Sequence, residues 1–235
     1  MENYSVRRIN RLLESFKGST RYLEVGVESG STFFDVSATF KTAVDPSFQF
    51  DSESAKRDHP SCEFIEVTSD NFFSTRELKQ KFDLVFLDGL HTWDQTYRDF
   101  CNALLFTHER SIILLDDIFP SDVYSCNRDQ VEAVLMRQFM SGDAGNAWHG
   151  DTYKIVPLID TFHPLLDFCT IISDGNPQTI VWRSTESRCS RFDLLEREGN
   201  LNIAALDYLW FLRNQTGYVP MEEEAALGLV ISSLV

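Results

Sequence analysis

Five short apolar runs, RYLEVGV (21–27), KTAVD (41–45), EFIEV (63–67), DLVFLD (83–88) and SIILLDD (111–117), alternate with stretches of helical periodicity. Each run is too short, and too rich in β-branched or aromatic residues, to be a lone helix. The last two show no polar–apolar alternation, the pattern of strands covered on both faces. Between the runs, Trp93, Tyr97, Phe100 and Leu104 fall at i, i+4, i+7 and i+11, and Gln130, Val131, Val134, Leu135 and Phe139 repeat the spacing. Strand–helix–strand repetition predicts an α/β, Rossmann-like, doubly wound and mostly parallel sheet with helices on both faces.

Three segments flank this core. Val6, Ile9, Leu12, Leu13 and Phe16 share one helical face before Gly18, so residues 1–20 are expected to hold an N-terminal packing helix. In DFCTIISDGNPQTIVWR (167–183), two strand-like runs flank Asp174-Gly175-Asn176-Pro177, a strong turn signal that predicts an antiparallel hairpin closing the core domain, 21–185. Residues 186–235, with the amphipathic LNIAALDYLWFLRN and an apolar terminus, are expected to form a helical extension that covers the sheet edge or makes a homo-oligomer contact.

With 235 residues and a net charge of -15, the chain has core enough for one domain with an appendage and no broad cationic surface. Nucleic-acid and membrane partners are therefore not expected, and no apolar run approaches a membrane span. Cys62, Cys101, Cys126, Cys169 and Cys189 are odd in number and lack metal-ligand spacing, which fits reduced packing residues and a cytoplasmic protein.

YLEVGVESGSTF (22–33) ends a strand in Glu24-x-Gly26-x-x-x-Gly30, a turn at which glycine lets backbone approach a ligand. A dinucleotide GxGxxG starting at Gly26 fails at Glu28 and Ser31, and no P-loop occurs. Asp45 ends the second strand, where a carboxylate can accept both ribose hydroxyls. After the third strand, Ser69 either contacts an adenine ring or helps cap the next helix. Glycine turn and Asp45 together favour an adenosine-containing ligand.

EVGVESG, the strand-end Asp45, and above all FDLVFLDGLHTWDQTYRDFCNAL with IILLDDIFP resemble the class I S-adenosylmethionine-dependent methyltransferases, in particular the branch of sugar and macrolide-sugar O-methyltransferases. Glu28 stands where many members have a middle glycine. The resemblance, over about residues 20–185, implies S-adenosylmethionine as cofactor, held by Glu24, Gly26, Gly30, Asp45, Ser69 and Asp88. It also implies a seven-stranded sheet of order 3-2-1-4-5-7-6, in keeping with the expected hairpin.

Asp88 ends the fourth strand and Asp116-Asp117 the fifth, so neighbouring parallel strands deliver three carboxylates to one rim. Crowded carboxylates repel unless a cation neutralises them, and hard oxygen ligands suit Mg²⁺. Asp88, Asp116 and Asp117 are the candidate metal ligands; the alternatives are that Asp117 caps a turn and Asp88 bonds the glycine loop. His91 is the candidate general base, acting with Asp88, unless it only orients Asp88. Phe119, Tyr124, Trp148, His149 and Tyr153 either line an acceptor pocket or pack. The expected activity is metal-assisted methylation of a hydroxyl on a sugar or another small polar metabolite. A nucleotide-dependent oxidoreductase and a non-catalytic cofactor-binding protein are the competing readings.

Overall fold

The computed structural model describes residues 3–192, 194 and 202–234. Its strands are β1 (Arg21–Val25), β2 (Phe40–Asp45), β3 (Cys62–Glu66), β4 (Phe82–Leu87), β5 (Thr107–Leu115), β6 (Leu166–Ile171), β7 (Gln178–Arg183) and β8 (Pro220–Met221). The helices are α1 (Tyr4–Leu13), α2 (Ser52–Asp58), α3 (Ser69–Thr75), α4 (Trp93–Leu105), α5 (Gln130–Ser141), α6 (Ile155–Phe162), α7 (Tyr208–Asn214) and α8 (Glu223–Ser233). They form one sheet of order β3-β2-β1-β4-β5-β7-β6-β8.

β1 to β5 pair in parallel and β7 runs antiparallel to both β5 and β6, with Thr170 opposite Thr179 in the expected hairpin. The sheet has eight strands rather than seven. Pro220 and Met221 add a short parallel strand to β6, and a proline on that edge removes a donor from an otherwise open row of backbone groups. The segment 195–201 of the expected extension, including Leu201 of its amphipathic stretch, lies outside the described residues.

The pleat of β4 explains both apolar layers. Val85 and Leu87 face one cluster with Phe100, Phe106, Ile155 and Ile159, while Leu84 and Phe86 face another with Ile9, Leu12, Ala226 and Val230. Thus α4 and α6 cover one face, and α1 and α8 the other. At roughly 1.5–3 kcal/mol for each fully buried large apolar side chain, these two layers dominate the energetics of the fold.

In α5 the apolar spacing predicts a packing face, yet Val131, Leu135 and Phe139 are exposed and Ala133 and Arg137 are buried. Polar contacts decide the orientation: the Arg137 guanidinium donates to Asp122 Oδ1 at 3.1 Å and to the carbonyl oxygens of Gly145 and Ala147 at 3.0 and 2.7 Å. All five cysteines are free thiols; Cys169 is buried and Cys189 exposed, so packing accounts for the first and not for the second. No helix among the described residues is long and apolar enough to cross a membrane.

Candidate active site

The strand order reverses between β1 and β4, and a cleft of about 800 Å³ opens beyond the carboxyl ends of β1, β2, β4 and β5. Glu24, Gly26, Asp45, Ser69, Asp88, His91, Asp116 and Asp117 all line it. The backbone ladder runs one residue past the strands: the Gly26 amide donates to Val44 O, Asp88 to Val25 O and Asp116 to Leu87 O, at 2.9, 2.9 and 3.1 Å. That continuity sets the carboxylates of β4 and β5 at one level.

The glycine turn is held from two sides. Gly26 has φ +87°, and a Cβ there would come 1.9 Å from Asp88 O. A Cβ on Gly30, at φ +79°, would come 2.3 Å from the Phe34 ring, so a side chain there would strain the backbone and displace that ring. At φ +50°, Glu28 adopts a left-handed conformation that costs a non-glycine residue, and Gln49 secures it through its amide N–H to Glu28 O and its side chain to Oε1. Asp45 Oδ2 accepts from the amides of Val27 and Glu28, both at 2.9 Å, and Oδ1 from Ser47 at 2.8 Å. Its carboxylate therefore braces the turn while lining the cleft. Ser69 opens α3, whose cap is the Thr68 hydroxyl, and the Ser69 hydroxyl faces Gln95 Nε2 at 3.2 Å.

Glu24 is buried at the foot of the cleft and accepts from Tyr22 OH at 2.5 Å. Burial raises its pKa to about 8, beyond what the Tyr22 hydrogen bond and Lys41 offset. Asp116 is raised to about 7 by burial and by the neighbouring Asp117. Asp117 and Asp88 are pushed up too, by burial first and then by other charges, with His91 working against the rise. The Asp88 side chain keeps 32% exposure on the open side of the cleft, which limits that rise.

The structure brings Asp88, His91 and Asp117 together: ligand atoms of these three lie within 4.8 Å of one another. His91 Nδ1 lies 3.0 Å from Asp117 Oδ2, outside hydrogen-bond alignment, and Nε2 lies 3.6 Å from Asp88 Oδ1. Burial lowers the imidazole pKa, but the nearby carboxylates of Asp88 and Asp117 outweigh it and bring it to about 9. Asp116 is not in this group. Its Oδ1 accepts from the Asp117 amide at 2.8 Å and from Asn176 at 2.6 Å, and its Oδ2 accepts from Gln178 at 2.9 Å. Asp117 turns the chain with φ +55°, which swings its own carboxylate back toward His91.

A loop from Trp148 to Asp151 fixes His91. Trp148 stacks on the imidazole at 4.7 Å with 12° between planes, and the Asp151 amide donates to His91 O. Asp151 Oδ1 accepts from the Trp93 amide at 2.9 Å, doing for α4 what its own Thr92 side chain does not. Of the residues expected around an acceptor, Trp148 lines the cleft; Phe119 and Tyr153 pack in the core, Tyr153 donating to Leu206 O. Tyr4, Asn176 and Gln178 escaped the sequence reading. Tyr4 lies on a helix that reads as packing, and Asn176 inside a turn signal that explains it without chemistry.

Residues 23–118 match a family described as "Methyltransferase domain". Among solved structures, the O-methyltransferase TomG from Streptomyces achromogenes, in complex with SAM, is 14% identical with a TM-score of 0.53, over 78% of this chain and 82% of that one. An O-methyltransferase from Bacillus cereus, in complex with SAH, is 13% identical with a TM-score of 0.52 over 78% and 83%. Cofactor-bound Rv0187 from MTB is 15% identical with a TM-score of 0.55 over 79% and 83%. No curated protein matches the sequence.

Proposed function

We propose that the chain is a class I S-adenosylmethionine-dependent methyltransferase that transfers the methyl group to a hydroxyl of a sugar or another small polar metabolite, with a divalent cation assisting. The observation that carries this reading is the convergence of Asp88, His91 and Asp117 on the cleft beside the glycine turn. Around them the cleft offers amides from Gln130 and Asn146 and the rings of Tyr4 and Trp148, and none of its lining residues is a lysine or arginine. Amides that exchange hydrogen bonds with hydroxyls, and rings that cover apolar faces, suit a neutral polyhydroxylated acceptor.

S-adenosylmethionine, when bound, supplies an electrophilic sulfonium methyl, for which a cleft of this size and mixed polarity has room. The chain must orient the acceptor and remove its proton. His91, in its neutral form, takes the hydroxyl proton; a cation on Asp88 and Asp117 would favour that form by offsetting the two carboxylates that otherwise hold the imidazole protonated. Two carboxylates raised by burial and mutual repulsion are a fitting donor set for Mg²⁺ or Mn²⁺, held by Asp88 and Asp117. Such a cation would lower the pKa of a hydroxyl.

The reading is tested by calorimetry with SAM, SAH and NAD, with and without Mg²⁺, followed by methyl-transfer assays on a panel of free and glycosidic sugars. Binding of both sulfur ligands and metal-dependent transfer to a sugar are expected. Binding of NAD alone would overturn the reading, and full turnover in excess chelator would remove the cation from it.

A further inference from the structure

Asn176 sits in the turn between β6 and β7, and its side-chain amide is fully committed. Nδ2 donates to Asp116 Oδ1 at 2.6 Å and to Asp117 Oδ1 at 2.9 Å. Oδ1 faces His149 Nε2 at 3.0 Å. An amide nitrogen has two hydrogens and its oxygen has none, so this orientation is the one that satisfies every partner. Flipped, the oxygen would face two carboxylates and the nitrogen would lose both acceptors. The arrangement also assigns His149 its proton: Nε2 must carry it to donate to Asn176. Burial lowers the pKa of His149, which keeps the ring neutral.

The turn is itself anchored. Arg8, with no exposed surface, donates from Nη1 to Asn176 O at 2.8 Å and to Gln178 Oε1 at 2.9 Å, and from Nη2 to the carbonyl oxygens of Ser173 and Asp174. Gln178 Nε2 then donates to Asp116 Oδ2. Asp116 is thereby held on both oxygens, while Asp117 is held on one. The consequence lies in the free oxygen of Asp117: with Oδ1 claimed by Asn176, Oδ2 is the atom presented to His91.

We infer that Asn176 is a positioning residue of the methyl-transfer site: its amide fixes the rotation of the Asp117 carboxylate and so selects the oxygen that meets His91. The inference rests on the cleft being the methyl-transfer site and assigns Asn176 no contact with the reacting atoms. A half-buried side chain whose hydrogen-bonding atoms are all engaged is the kind of partner that orients a functional carboxylate.

Wild type and the variants Asn176→Ala and Asn176→Leu test it, each crystallised with SAH and titrated with Mn²⁺ and with SAH by calorimetry. Leucine keeps the bulk of the side chain without the amide, which separates lost packing from lost orientation. In both variants Asp117 Oδ2 is expected to move beyond about 4 Å from His91 Nδ1. Mn²⁺ affinity is expected to fall about 10–100-fold, with SAH affinity unchanged. Asp117 keeping its wild-type place in both variants overturns the assignment. So does an equal loss of SAH affinity, because the amide would then hold the cleft as a whole. A wild-type protein that takes up no Mn²⁺ refutes metal assistance alone and leaves the position of Asp117 to decide the role of Asn176.

Discussion

Gly26 lies so tightly against Asp88 that a β-carbon on it would stand 1.9 Å from the Asp88 carbonyl oxygen. The end of β1 and the end of β4 are thus in backbone contact, with the Asp88 amide donating to Val25 O across the same gap. Gly26→Ala meets two costs, the left-handed φ and the clash, each roughly 1–3 kcal/mol. Its urea midpoint should fall accordingly and its SAH binding should be lost. An alanine variant as stable as wild type would show that the two strand ends stand apart.

Asp117 and Asp116 should separate in a metal titration. Asp117→Ala removes a proposed ligand and is expected to abolish saturable Mn²⁺ binding. Asp116→Ala removes only a carboxylate that Asn176, Gln178 and the Asp117 amide already occupy, so its loss should be about 10–100-fold. Equal abolition by both would put Asp116 back among the ligands.

Glu24 gives the fold a pH dependence of known sign. Its folded pKa of about 8 stands above the ordinary 4.5, so the folded state holds the proton more tightly. Its stabilising contribution is full below pH 4.5 and is lost as pH rises through 8. Stability should fall across that interval by up to about 1.4 kcal/mol per pH unit. Glu24→Gln, whose carbonyl can still accept from Tyr22, should flatten the slope in urea melts from pH 5 to 9. An unchanged slope would exonerate Glu24.

Arg8 and Glu223 make an ion pair at 2.8 Å with 0% and 8% side-chain exposure. Glu223 is lowered in pKa by its hydrogen bonds to Arg7 and Arg8, which outweigh the effect of burial. Removing one partner of a buried pair costs about 3–5 kcal/mol. Arg8→Ala should therefore lower the urea midpoint far more than Arg11→Ala, whose partner Glu14 is as exposed as itself. Similar losses in the two variants would contradict the buried role.

Much of the frame was legible because β4 and β5 close in continuous apolar runs, LVFL and IILL, each followed by aspartate, so strand, rim and cleft follow from pattern alone. The convergence of Asp88, His91 and Asp117 was legible for the same reason, since they lie at or just past strand ends whose order a doubly wound sheet dictates. Asp116 was not distinguishable from Asp117, because which of two adjacent carboxylates approaches His91 depends on a left-handed φ at Asp117 and on donors from Asn176 and Gln178. The face of α5 was misjudged because Arg137, a polar residue, finds enough partners to be the buried one. The eighth strand is two residues long and carries no periodicity to read.

The ion pair that anchors the β6–β7 turn joins positions 215 residues apart in the chain. Contacts between such distant positions close late, because the entropy of drawing them together must be met first. The rim should accordingly reach its working geometry only when α8 docks on α1, so the parallel core can assemble before the site is competent.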